Sequence, residues 1–342
     1  MTRASMIAAG IVLFLCASSA TAAACTATGF GSLTAALANP TAPVTGEVNA
    51  TGCNIGVYYD HNLAVDKGLV DNAYIHGANY YGVFVNGDQG AVSVSITDSI
   101  ISNIGEVPFN GAQHGVAVYY RAFLPGGGTS GTISGNQVSL YQKGGIVANG
   151  RGTNVAITDN TVTGLGPVAF IAQNGIQVGF GATASVMRNA VSENSYTGFN
   201  YAASGGIIVV GGVGYGSCPD GNACPYTVGA RIVGNTVSNN DVGIWLSNID
   251  ASYNAPTSAT NVKVVNNIIS SNGVNNIGAY GTNIGYQAGV ADQGNNDKII
   301  TNNISGTGYD PNSATATTPY IFPIDADTSF TNRPKVHANT VP

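Results

Sequence analysis

Charge is what this chain lacks most. Asp, Glu, Lys and Arg make up 8% of its 342 residues, where a soluble domain ordinarily carries about 25%. Long helices with a solvated charged face cannot be built from so little, which argues against helical bundles and doubly wound α/β folds. Basic residues number 11 against 17 acidic ones for a formal net charge of −6. No basic run occurs, so a nucleic-acid partner is not expected. Histidines number 4 and are scattered, so neither zinc nor copper is expected. The longest apolar run, Ile7 to Leu15, is shorter than the roughly 20 residues of a membrane span. Disorder is excluded by the opposite excess, 44% hydrophobic residues with little charge.

What is abundant is glycine, 47 residues, about twice the usual share. The N-terminus reads as a secretory signal over residues 1–24. Arg3 is the basic start, Ile7 to Leu15 the apolar segment, and Ala20-Thr21-Ala22 or Ala22-Ala23-Ala24 the cleavage site. The expectation is a secreted or periplasmic protein. Cys16 leaves with the signal, and the remaining four cysteines allow three pairings. Spacing favours Cys25 with Cys53 and Cys218 with Cys224, as two disulfides of an oxidising compartment.

Internal repeats dominate the rest. One pattern runs apolar, x, x, Asn, x, apolar, often followed by Ser or Thr. It occurs at Ile133 to Ser139, Ile157 to Thr163, Val186 to Ser192, Ile232 to Ser238, Val264 to Ser270 and Ile300 to Ser305, with Asn136, Asn160, Asn189, Asn235, Asn267 and Asn303 in the amide slot. Ile96 to Ser102 has Ser99 in that slot. Between these copies runs Gly, apolar, x, apolar, at Gly82, Gly115, Gly145, Gly175, Gly206 and Gly243, roughly once per 30 residues.

The two patterns alternate in strict order, each with strand period. They predict short strands wound into a solenoid, with Asn at one corner of every coil, where its side chain can bond backbone and its neighbour above, and Gly at another. A two-sheet sandwich would instead need turns every 8–12 residues. The Asn and Gly copies together resemble the right-handed parallel β-helix superfamily, the fold of pectate lyases and related carbohydrate-active proteins, over about residues 70 to 305. The expected fold class is therefore all-β: a single-stranded right-handed parallel β-helix of about seven or more coils, with a short N-terminal capping helix. The helix is expected at Leu33, Ala36 and Leu37, which show i, i+3, i+4 spacing. The divisions are 25–68 for the cap and first coil, 69–310 for the β-helix, and 311–342 for a tail or lid.

Aligning coils on the glycine places Tyr80, Gln113, Lys143, Gln173, Ser204 and Asp241 two residues before it. His114 falls one before, and Asp88, Arg121 and Arg151 fall six after. His114, Arg121, Lys143 and Arg151 are thus expected in neighbouring coils with Tyr119, Tyr120 and Tyr141 among them. Such a set suits a polysaccharide. Tyr rings offer flat faces to sugars, and Gln113, Gln173, Gln177 and Asp88 can bond hydroxyls. The resemblance implies an acidic glycan acted on by a lyase or epimerase. In that chemistry Lys143 is the base, Arg151 or Arg121 clamps the uronate carboxylate, and His114 or Tyr119 is the proton donor. The alternatives are a non-catalytic glycan-binding or adhesion module, and a structural assembly protein.

Motifs of other branches are missing. The pectin-hydrolysing branch carries paired Asp residues and a Gly-His-Gly, and the alginate-epimerase branch an Asp-Pro-His-Asp; neither occurs here. Pectate lyases hold Ca²⁺ with carboxylates on adjacent coils. Asp98 and Asp159 share a column, but Gly135 stands between them, so calcium has a thin ligand set and no cofactor is expected. The column two after the glycine reads Phe84, Ala117, Val147, Gln177, Ile208 and Trp245. This outward apolar stripe could be a homo-oligomer contact or, with Trp245 and Gln177, a sugar groove.

Overall fold

Each coil of the chain contributes strands to two sheets, and every strand pairs with its counterpart one coil away. The computed structural model describes residues 24–198, 202–273, 286–312, 320–326 and 331–342; the expected signal segment lies outside them. Among the described residues the front sheet has 11 strands. They include Ile55–Asp60, Tyr81–Asn86, Val116–Arg121, Gly144–Asn149, Asn174–Gly179, Gly205–Gly211, Val242–Asn248, Tyr286–Asp292 and Tyr320–Asp325. All of these pair in parallel. Between front strands the chain crosses a back sheet bent into two arms, as in Thr153–Thr158 followed by Thr161–Val168. The chain is a parallel β-helix.

The core is a column of aliphatic side chains. Val83, Val118, Ile146, Ile176, Ile207, Ile244 and Val290 follow one another on the front sheet and face Ile96, Ile133, Ile157, Val186, Ile232 and Val264 on the back. At the bend between the two back arms stands the amide column. Asn136, Asn160, Asn189, Asn235, Asn267, Asn302 and Asn339 each sit one coil apart. Up to Asn302, each donates both its backbone N–H and its side-chain Nδ2–H to the Oδ1 of the next, at 2.9–3.1 Å. Ser99 begins the series, donating its N–H to Asn136 Oδ1 at 3.0 Å. Just before each of these residues the backbone is left-handed, with φ of 47° at Asp98, 59° at Asp159, 54° at Arg188, 56° at Asn266 and 56° at Ala338. That local cost is met by the bonds the turn makes available.

Three expectations are corrected here. The amide slot of the sixth copy is Asn302, not Asn303, because Ile299 rather than Ile300 is the inward residue. Val336 to Val341 is a further copy, with Asn339 in the slot. The N-terminal cap is not a helix: Thr34–Ala38 is a strand that pairs in parallel with Ile55–Asp60, and Thr26–Ala27 closes on it in antiparallel. The edge strand of a sheet has unpaired N–H and C=O groups that only another strand can satisfy, and that demand overrides a five-residue helical spacing. The segment expected as a tail contributes Tyr320–Asp325 to the front sheet and Lys335–His337 to the back.

Cys25–Cys53 ties the N-terminal segment to the first coils, and Cys218–Cys224 closes a short loop beside the front sheet. Among the described residues there is no α-helix, and no helix long and apolar enough to cross a membrane.

Candidate functional site

The glycine column fixes how the front face is laid out. At Gly145, Gly175, Gly206 and Gly243 an added Cβ would lie 2.5–2.7 Å from the carbonyl oxygen of the next coil, closer than any side chain tolerates. Successive backbones therefore approach closely here; the residue after each glycine (Ile146, Ile176, Ile207, Ile244) turns into the core and the one after that turns outward. The register also shows that Ala117, not Gly115, occupies this column between Gly82 and Gly145. Gly115 lies in the preceding turn, at φ 84°. A slip of two residues keeps every side chain on its own face, so the strand pattern alone could not detect it.

Corrected for that slip, the outward column two after the glycine reads Tyr58, Phe84, Tyr119, Val147, Gln177, Ile208, Trp245 and Ala291. Ala117 leaves the stripe for the core. Phe84 is 0% exposed, under Phe30 at 5.1 Å and stacked on Tyr119 at 5.3 Å. Val147 and Ile208 are 7% and 6% exposed. The stripe is thus largely covered by the chain itself, and only Tyr119, Gln177 and Trp245 reach solvent at its middle. A broad apolar face for a second copy is not what it presents.

Amides surround those three residues. Gln177 donates to Asn149 Oδ1 at 3.0 Å and accepts from Asn174 Nδ2 at 3.3 Å. Asn149 also bonds the Tyr119 hydroxyl, whose ionisation is pushed up by burial. Trp245 donates its indole N–H to Gln293 Oε1 at 3.1 Å. Gly144 and Gly205 flank the column, bearing no side chain over the floor. At the N-terminal end, Tyr81 lies 5.3 Å from Tyr119, and Tyr80 stacks on His114 at 3.9 Å with rings 10° apart.

The expected catalytic set does not converge. Lys143 and Arg151 stand beyond opposite ends of Gly144–Asn149, a strand of 6 residues that is itself about 20 Å long at ~3.3 Å per residue. Arg151 pairs with Asp220 of the disulfide loop at 3.1 Å. Arg121 pairs with Asp88 at 2.6 Å and lies over the rings of Phe30 and Phe123, while Asp88 also accepts from Phe123 N–H. His114 holds Glu106 at 2.6 Å. The structure therefore groups Tyr119 with Arg121, and His114 with Tyr80, and leaves Lys143 and Arg151 apart.

Lys143 belongs to a column whose members fasten loops. Its Nζ donates to Ala172 O at 2.7 Å, and burial lowers its pKa to about 8. Next in that column, Gln173 is fully buried, donating to Tyr141 O and accepting from Leu165 N–H. Asp241 accepts from Tyr196 N–H and Ser204 N–H, both at 2.8 Å. Gln142, absent from the expected site, does the same for residues 106–114, bonding Glu106 N–H, Asn110 N–H and Ala112 O. Its signal in the sequence was only its place beside Lys143.

Tyr120 and Tyr141 are corrected too. Both are fully buried in the core, donating to Val94 O and Asn194 Oδ1, so neither offers a face to a sugar. Gln113 is exposed, bonded only within its own turn to Gly111 O. Asp159, expected as a thin calcium ligand, is held by a bidentate pair with Arg188 at 2.8 Å, which keeps its carboxyl below the usual range. Among the described residues no three His, Cys, Asp or Glu side chains group as metal ligands.

No protein-family model matches this chain, and no curated protein does. Among solved structures it is similar to tailspike protein 3 of bacteriophage CBA120, at 13% identity and a TM-score of 0.31 over 89% of this chain. The chain spans about half, 51%, of the tailspike's length.

Proposed function

We propose that the front sheet is a glycan-binding face. The observation that carries this reading is the register-stacked outward column from Tyr119 through Gln177 to Trp245, with Asn149 and Asn174 beside it. Flat apolar surface next to fixed amides is what a sugar ring presents a match for, CH faces on one side and hydroxyls at the rim. The expected signal segment and the two disulfides support a location outside the cytoplasm for this activity.

The face binds without transforming its ligand. Both candidate carboxylate clamps are already paired with Asp, and the candidate base is tied to a carbonyl. One observation favours a second reading, β-elimination or epimerisation of a uronan: burial brings Lys143 near neutrality, where an amine can accept a proton. A panel of immobilised neutral and acidic glycans tests both. W245A and Y119A lower affinity for the bound glycan about tenfold, and no unsaturated uronate forms. Unaltered binding by both variants refutes the face. Unsaturated product lost in K143A establishes the lyase instead.

A further inference from the structure

The back sheet carries a charge column that the glycine alignment does not reveal. Arg231, Lys263, Lys298 and Lys335 are direct register partners on four successive coils. Four of the chain's 11 basic residues thus stand in one line, about 4.8 Å apart. The same column in earlier coils reads Ser95, Thr132, Ala156 and Ser185, so the charge is confined to the C-terminal half. Arg231, Lys263 and Lys335 are exposed and Lys298 is half-buried. Among the described residues none of the four enters an ion pair, whereas Arg121, Arg151 and Arg188 each pair with an Asp.

Like charges directly opposite on adjacent strands destabilise a sheet. In a chain this poor in charge, and net acidic, such a line is a cost unless anions neutralise it. We propose that it is a second binding site, distinct from the front sheet, for a linear acidic polysaccharide lying along the solenoid axis. A glycan chain advances by one ring in about the rise of one coil, so successive carboxylates or sulfates meet successive cations. The adjacent outward column, Val233, Val265 and Ile300, gives sugar CH groups an aliphatic strip. It contains no Tyr, Trp or Phe on which unpaired bases could stack. A polysaccharide fits better than a nucleic acid.

The test is affinity electrophoresis of the full chain through polygalacturonate, with dextran and single-stranded DNA as comparison matrices, at several salt concentrations. K263Q/K298Q is expected to weaken retention by polygalacturonate about tenfold and roughly halve its salt dependence. K263R/K298R retains both, and circular dichroism of each variant matches the parent. Retention unchanged in the Gln double variant overturns the proposal, as does binding to DNA equal to that to polygalacturonate. W245A separates the two sites. If it abolishes glycan binding while K263Q/K298Q changes nothing, the front face stands and the cationic line falls. The opposite pattern leaves the line standing and removes the front face.

Discussion

Asn189 makes five side-chain hydrogen bonds within the core wall: it donates to Asn235 Oδ1, Ile157 O and Met187 O, and accepts from both the backbone N–H and the Nδ2–H of Asn160. Asn189→Ala leaves the Asn160 donors and the Ile157 carbonyl buried and unmatched, so a loss of about 3 kcal/mol is expected in urea unfolding. Asn303→Ala, next to the slot in the sixth copy, should cost far less, which checks the register as well as the energy. A second residue-scale prediction concerns Asp297. It is buried beside Asp292. Loss of water and the neighbouring carboxylate raise Asp297 from 3.8 to about 8. A raised carboxyl pKa means the folded state holds its proton longer than the unfolded chain does. Its stabilising share is complete below about pH 4 and declines as pH rises towards 8. D297N removes that decline: its melting temperature should match the parent near pH 4 and exceed it by a few degrees at pH 8.

Strands were legible where a residue had one physical role. The Asn corner and the aliphatic columns could be read because a bend needing an amide and a core needing Val or Ile each admit few alternatives. Register was not, because shifting Val116–Arg121 by two residues leaves the same faces in and out. That slip put Arg121 in line with Arg151 and removed Tyr119 from the outward stripe. Tyr120 and Tyr141 were misplaced for a related reason, since a Tyr is equally at home on a sugar face or in a core with its hydroxyl bonded. The cationic column was readable too: each of its members directly precedes the first inward residue of a back strand, a position that counting from the glycine never samples. At the same scale the two disulfides should differ. Cys25–Cys53 closes a separation of 28 residues and Cys218–Cys224 one of 6. Removing the first should cost about 3.5 kcal/mol of global stability, and the second about 2. Loss of the second should also free Asp220 from Arg151, seen as faster hydrogen exchange confined to residues 211–230.

Over the whole molecule, two sheets share one core but face different surroundings. The front carries rings and amides between loops; the back carries small polar residues at one end and cations at the other. The amide column joins these halves with a direction. Every Asn in it accepts through its oxygen from the N-terminal neighbour, and up to Asn302 each sends one Nδ2–H on to the oxygen of the C-terminal neighbour. Side-chain dipoles so aligned add rather than cancel, and each bond polarises the next. The positive pole therefore emerges at Asn339, beside the coil that holds Lys335. A chain cut before residue 335 would lose that terminal acceptor, leaving both N–H groups of Asn302 aimed at water and the solenoid free to fray from that pole.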